Sequence, residues 1–351
     1  MEQVTALLKH LMQIESTTGN EGPVAVALGQ YLQQRGWTVE LQPVDADGKR
    51  RNVYAHRGDS RSKPVVLLNS HIDTVPPYIP FSEDSDKIYG RGSCDAKGSI
   101  ASQVVAVSQL IEEGKLADGD VALLYVVGEE TDHAGMIKAN ELGLDARFLI
   151  VGEPTESCLA NGHKGIIKAT VVCKGKAGHS GYPERGASAI EALVKILHDL
   201  QSNTWPVDER LGPTTINLGI VSGGVAANVI PEHAEAQISV RVSAQLQQIV
   251  ERIRHGVQSH QVAGVDASVH FGGVLEPVRC ETVELTGVDT FTAAYFTDIP
   301  FLKGNHLPLL IGPGSIKVAH SVDEHVEKKD LVQLVDIYKE LILKLVARAK
   351  Q

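Results

Sequence analysis

The chain has 351 residues, 43% of them hydrophobic and 22% charged, an ordinary globular composition with length enough for two domains. Its 43 acidic residues outnumber the 33 basic ones, for a formal net charge of -10, which disfavours a nucleic-acid surface because phosphate recognition needs clustered Lys and Arg. Cys94, Cys158, Cys173 and Cys280 stand far apart with no C-x-x-C pair, which argues against a zinc ribbon or a disulfide-stapled module and suits a reduced cytoplasmic setting. In chain order, residues 1–15 place Leu7, Leu8, Leu11 and Met12 at helical spacing and lack the apolar core of a signal peptide. A turn is predicted over 18–23, a second helix over 24–34 and a strand over 37–41. Apolar runs predict buried strands over 64–69, 121–127 and 148–151, with a helix over 99–112 between the first two. None of these runs is long enough to span a bilayer. Strand and helix alternating in this way predict an α/β layered domain with a mostly parallel sheet and helices on both faces.

From about residue 162 the pattern changes. Alternating runs at 166–173, 215–221, 234–242 and 267–271 are interleaved with helical stretches at 187–201 and 245–259. Strand, helix, strand, strand, helix, strand is the order of a ferredoxin-like α+β unit. After residue 273 the sequence predicts a return to helix, then a buried strand over 308–311, a loop, and an amphipathic helix from about 328. The expectation is a discontinuous α/β domain, 1–161 and 274–351, interrupted by a smaller α+β domain, 162–273.

Ligands of open α/β sheets bind beyond the carboxyl ends of the strands. Four predicted strands are followed there by polar residues: Ser70-His71-Ile72-Asp73, Gly128-Glu129-Glu130, Gly152-Glu153-Pro154-Thr155, and Gly312-Pro313-Gly314-Ser315 with Ala319-His320-Ser321 beyond it. Asp95 lies in a glycine-rich loop before the helix at 99–112. Taken singly, each has a plain explanation: a surface histidine, an N-cap aspartate, a solvated pair of glutamates. Together they crowd carboxylates onto one edge, a costly arrangement that a bound cation relieves. His with Asp and Glu suits Zn²⁺, with Mn²⁺ or Co²⁺ as substitutes.

Seven segments in this order and spacing then carry a specific resemblance: SHIDTVP at 70–76, GRGSCDAKG at 90–98, GEE at 128–130, GEPT at 152–155, AGHSG at 177–181, NVIP at 228–231 and AHSVDE at 319–324. The chain resembles, nearly end to end, the dinuclear zinc aminoacylase and carboxypeptidase superfamily. The resemblance implies two Zn²⁺ ions bridged by Asp95, with His71 and Glu153 completing one site and Glu130 and His320 the other. It implies that Asp73 orients the His71 imidazole and that Glu129 is the general base for the attacking water. It further implies that His179 stabilises the oxyanion, that Asn228 and Arg241 hold a substrate carboxylate, and that Gly314 and Ser315 assist them. The resemblance also implies that the inserted domain serves as a lid and a homodimerisation surface. His133, His163 and His325 are read as structural.

Other enzyme classes lack their signatures. There is no G-x-S-x-G elbow, no P-loop, no G-x-G-x-x-G after a strand and no H-E-x-x-H, against serine hydrolases, nucleotide-binding folds and helical zinc proteases. The expected activity is hydrolysis of the amide bond of a small N-acyl amino acid, of deacetylase or desuccinylase type. A dipeptidase or glutamate-type carboxypeptidase is the alternative. A catalytically silent binding protein on the same fold is the rival outside enzymology, and it predicts a missing ligand or base. None is missing.

Overall fold

In the computed structural model, which describes residues 2–58, 61, 63–260 and 262–351, every residue of the strand Val66–His71 is buried. Such a strand needs cover on both faces, which its apolar run from Val66 to Leu68 provides for. Val66 and Leu68, with Leu123, Tyr125, Phe148 and Ile150 from neighbouring strands, join one large core cluster; Leu67, Leu124 and Leu149, pointing the other way, are buried as well. Six strands of the larger sheet run in the order Thr38–Pro43, Arg51–His56, Val121–Val126, Val66–His71, Phe148–Val151, Leu307–Leu310. The last four pair in parallel, and the first two join antiparallel at one edge. The helix Lys97–Glu112 packs against Glu2–Met12 and Lys328–Ala349, while Gly22–Gln33 packs on the two antiparallel strands. No helix among the described residues is long and apolar enough to cross a membrane.

The chain divides into two compact units: Met1–Asn161 with Arg279–Phe291 and Thr297–Gln351, and Gly162–Val278 with Thr292–Phe296. The smaller unit has a four-stranded antiparallel sheet in the order Thr215–Gly223, His233–Val242, Gly165–Lys174, Asp266–Leu275. Its helices Ala189–Ser202 and Leu246–Ser259 bury Ala192, Leu193, Ile196, Leu200 and Ile249, Val250, Ile253, Val257 at i, i+3, i+4 spacing, the stripe that an amphipathic helix presents to a sheet. The strand Asp266–Leu275 carries this unit past residue 273.

The helix expected after 273 is not formed. Val278–Arg279 and Thr290–Ala293 are short strands, and the only helical turn described between 276 and 306 is the 3₁₀ segment Ile299–Phe301. Pro277 and the β-branched residues Val278, Thr290 and Thr292 suit extended backbone.

His163, in the smaller unit, is fully buried, with Nδ1 3.0 Å from the Lys164 carbonyl and Phe296 edge-on at 5.1 Å. Burial pushes its imidazole down from the ordinary 6.5 to about 4. Because the folded value is depressed, the ring's contribution to stability is complete above about pH 6.5 and is lost as the pH falls toward 4, a loss of roughly 3 kcal/mol. The melting temperature of His163→Gln should therefore depend less steeply on pH than that of wild type between pH 6.5 and 4. Parallel slopes would contradict a neutral buried ring.

Candidate metal centre

Three adjacent parallel strands deliver side chains to one edge. His71 is the last residue of Val66–His71 and pairs with Val126; Glu129 and Glu130 follow Val121–Val126; Glu153 follows Phe148–Val151 by two residues. Gly128, at φ 80°, makes the turn out of its strand. A Cβ there would meet only the ends of two flexible side chains, Arg50 Nη2 and Asp132 Oδ1, each at 2.7 Å, so it is the left-handed backbone that calls for glycine. The loop 90–98 places Asp95 opposite this edge, and His320 comes from the segment beyond Leu307–Leu310.

Asp95 lies between two imidazoles. Its Oδ1 is 3.0 Å from His71 Nε2 and its Oδ2 is 3.3 Å from His320 Nε2. A further carboxylate stands by each ring: Glu153 Oε2 is 3.7 Å from His71 Nε2, and Glu130 Oε2 is 3.0 Å from His320 Nε2. His71 and Asp73 are buried, as are Asp95 and Glu153, whereas the His320 side chain is 51% exposed. The ligating atoms of His71, Asp95 and Glu130 all lie within 4.8 Å of one another.

Asp73 has a wider set of partners than the single imidazole contact expected. The nearest acceptor to His71 Nδ1 is the Asp73 main-chain carbonyl at 2.9 Å, with the carboxylate at 3.5 Å. That carboxylate accepts the Glu129 amide at 3.2 Å, the Glu130 amide at 3.3 Å and the Thr18 hydroxyl at 2.8 Å. One buried carboxylate thus fixes the turn carrying two adjacent glutamates.

The charges pull in opposite directions. Burial alone would raise the Asp95 carboxyl, but hydrogen bonds from His320 and His71 hold it well below the carboxylate range. Burial lifts Glu129 well above its ordinary value, with the Glu153 carboxylate adding to the effect. Burial likewise raises Glu130 and pushes Glu153 up to about 7. The His320 imidazole is pushed up to about 10 by its hydrogen bonds to Asp95 and Glu130. Two imidazoles are the ion-pair partners of Asp95, Glu130 and Glu153. Nitrogen and oxygen donors in this number, desolvated and short of positive charge, fit divalent cations of the Zn²⁺ type.

A second cluster was not legible in the sequence. His133, read as structural, places Nδ1 2.8 Å from Asp298 Oδ1, and its ring stacks on Phe301 at 4.2 Å. Glu129, His133 and Asp298 bring their ligating atoms within 4.8 Å of one another. His133, four residues beyond Glu129, could have been suspected from its place in the turn; Asp298 sits in a loop with no motif.

The remaining candidates divide between the units. His179 belongs to the two-residue strand Gly178–His179, which pairs with Val229–Ile230, so His179 lies beside Val229, next to Asn228. The Gly181 amide donates to His179 Nδ1 at 3.1 Å, which leaves Nε2 to carry the proton of a neutral ring. Arg241 lies on His233–Val242, half-buried, and burial lowers its guanidinium from the ordinary value. In the larger unit Gly314, at φ 72°, approaches Cys94 so closely that a Cβ would lie 2.5 Å from the Cys94 Cβ. The Ser315 hydroxyl donates to Glu156 at 2.6 Å.

A family model described as a peptidase dimerisation domain matches residues 161–265. A peptidase M20 domain-containing protein of Schizosaccharomyces pombe is 41% identical over 347 residues, covering 97% of this chain and 84% of that protein. The chain belongs to the M20 peptidase family. This M20 member is thus a metallohydrolase acting on amide bonds, with the α/β fold and dimerisation-type domain of its relatives. A probable carboxypeptidase of Aspergillus clavatus is 38% identical to it, covering 97% of this chain and 88% of its own. A solved Bacillus subtilis structure, described as a dinuclear metal binding peptidase of the M20 family, shares its fold at TM-score 0.73 with 17% identity, covering 99% of this chain and 98% of that one.

Proposed function

We propose that this M20 peptidase hydrolyses the amide bond next to a free carboxylate in short peptides, a carboxypeptidase or dipeptidase reaction, with two divalent cations, Zn²⁺ by donor chemistry. The observation that carries the reading is Asp95, which turns one carboxylate oxygen to each of two imidazoles, each backed by a further glutamate. His71, Asp95 and Glu153 would hold one cation, and Asp95, Glu130 and His320 the other. Bound there, the cations would polarise the scissile carbonyl and acidify the attacking water. Glu129 takes the proton from that water and hands it to the leaving amine. Asp73, through the Glu129 and Glu130 amides, keeps the base and its neighbouring ligand in separate roles.

In the same reading the Nε2 proton of His179 serves the developing oxyanion, and the Arg241 fork with Asn228 serves the free carboxylate. Gly314 and Ser315 would assist. Pairing of two copies through the smaller unit belongs to the same reading, supported by the dimerisation-type model matched there. Relatives at 38–41% identity bear peptidase names, so N-acyl amino acids rank behind peptides as substrates. A panel of dipeptides, tripeptides, their C-terminal amides, and N-acetyl and N-succinyl amino acids tests this by kcat/KM. Free-acid peptides should lead, and their amides should fall by about 10²-fold or more, since a site built for a hydrogen-bonded group rejects its absence strongly. Faster turnover of N-acetyl amino acids, or of the amides, would overturn it.

A further inference from the structure

Asp95 and His320 are supplied by loops more than two hundred residues apart in the chain, and the two are supported unequally. His71 ends a buried strand and has its ring held by Asp73. His320 has φ 64°, in the left-handed region, and its side chain is half exposed. A non-glycine residue keeps such a conformation only where its surroundings over-determine it.

What surrounds it is a buried ion pair. Arg91 is 2% exposed and Glu324 1%. Arg91 Nη1 donates to Glu324 Oε2 at 2.5 Å and to the Ser321 carbonyl at 3.2 Å, and Nη2 donates to the His320 carbonyl at 3.3 Å. The other Glu324 oxygen accepts the Gly92 amide at 2.9 Å and the Asp95 amide at 3.3 Å, and the Gly90 amide donates to the Glu324 carbonyl at 3.0 Å. Each member of the pair therefore comes from one ligand-bearing loop and grips the backbone of the other. A guanidinium makes this possible because its two terminal nitrogens serve acceptors in fixed directions. Burying an ion pair gains little net stability, while this one ties together the backbones of two loops.

We infer that Arg91 and Glu324 are positioning residues that set the His320 side of the metal centre, holding His320 at the distance from Asp95 at which both can share a cation. The inference rests on the two-cation reading. Zn²⁺ binding isotherms of the metal-stripped full chain, in competition with a chromophoric chelator, test it. Wild type should take up two equivalents. His320→Ala marks the equivalent that belongs to that side. Arg91→Gln should keep the other equivalent at wild-type affinity and weaken the marked one about 10–100-fold, the usual effect of removing a group that orients a ligand. Arg91→Lys keeps the charge opposite Glu324 but has no second nitrogen for the His320 carbonyl, and should weaken the same equivalent by about fivefold or more; it decides the matter alone if Arg91→Gln does not fold. Both equivalents at wild-type affinity in a folded variant, or equal weakening of the two, would overturn the inference. A wild-type chain binding fewer than two equivalents sinks the two-cation reading itself, and this role with it.

Discussion

Glu129→Gln should keep both cations while kcat on a short peptide falls by about 10²–10⁴-fold, the span that a positioned general base contributes. The substitution preserves shape and leaves the amide of residue 129 on the Asp73 carboxylate, 3.2 Å away, so the turn carrying Glu130 stays where it is. Glu130 is the member of the pair that reaches His320 Nε2, at 3.0 Å. KM should change little, because proton transfer belongs to the transition state and not to substrate binding. Steady-state kinetics with metal analysis of the same sample decide it. Activity near wild type would remove Glu129 from the mechanism, and loss of a cation would make it a ligand.

How far the sequence reaches is set by where its signals are local. The parallel strands were legible because continuous apolar runs such as Val121–Val126 suit strands buried on both faces, and the site was legible because polar residues follow those runs at once. The strand Arg51–His56 was not. Its apolar run is only Val53-Tyr54-Ala55, preceded by the buried Asn52, and only the fold shows that the Asn52 amide nitrogen is satisfied by Gln42 at 2.9 Å and the Gly135 carbonyl at 2.8 Å. Groups that act across long sequence separations were likewise hidden. Asp298 meets His133 from 165 residues away. Glu324 stood inside a segment that carried the resemblance, yet its bond to Arg91 and to the Asp95 amide could not be read from spacing. The imidazole contact expected of Asp73 was the local part of its role; its grip on the Glu129 and Glu130 amides is the non-local part.

Removing the metal should have the largest effect of all. The cations would answer the burial that raises Glu129, Glu130 and Glu153, so the stripped chain should lose turnover to background and also lose stability. Saturation at a thousand times the dissociation constant stabilises a fold by about 4 kcal/mol for each site, which a thermal melt with and without Zn²⁺ reads directly. Two-cation amide hydrolysis is read out by peptide turnover of the chelated chain during stepwise return of Zn²⁺. Turnover should be absent at the start and should recover until it levels off at two equivalents per chain. A chelated chain that works at the untreated rate would contradict it.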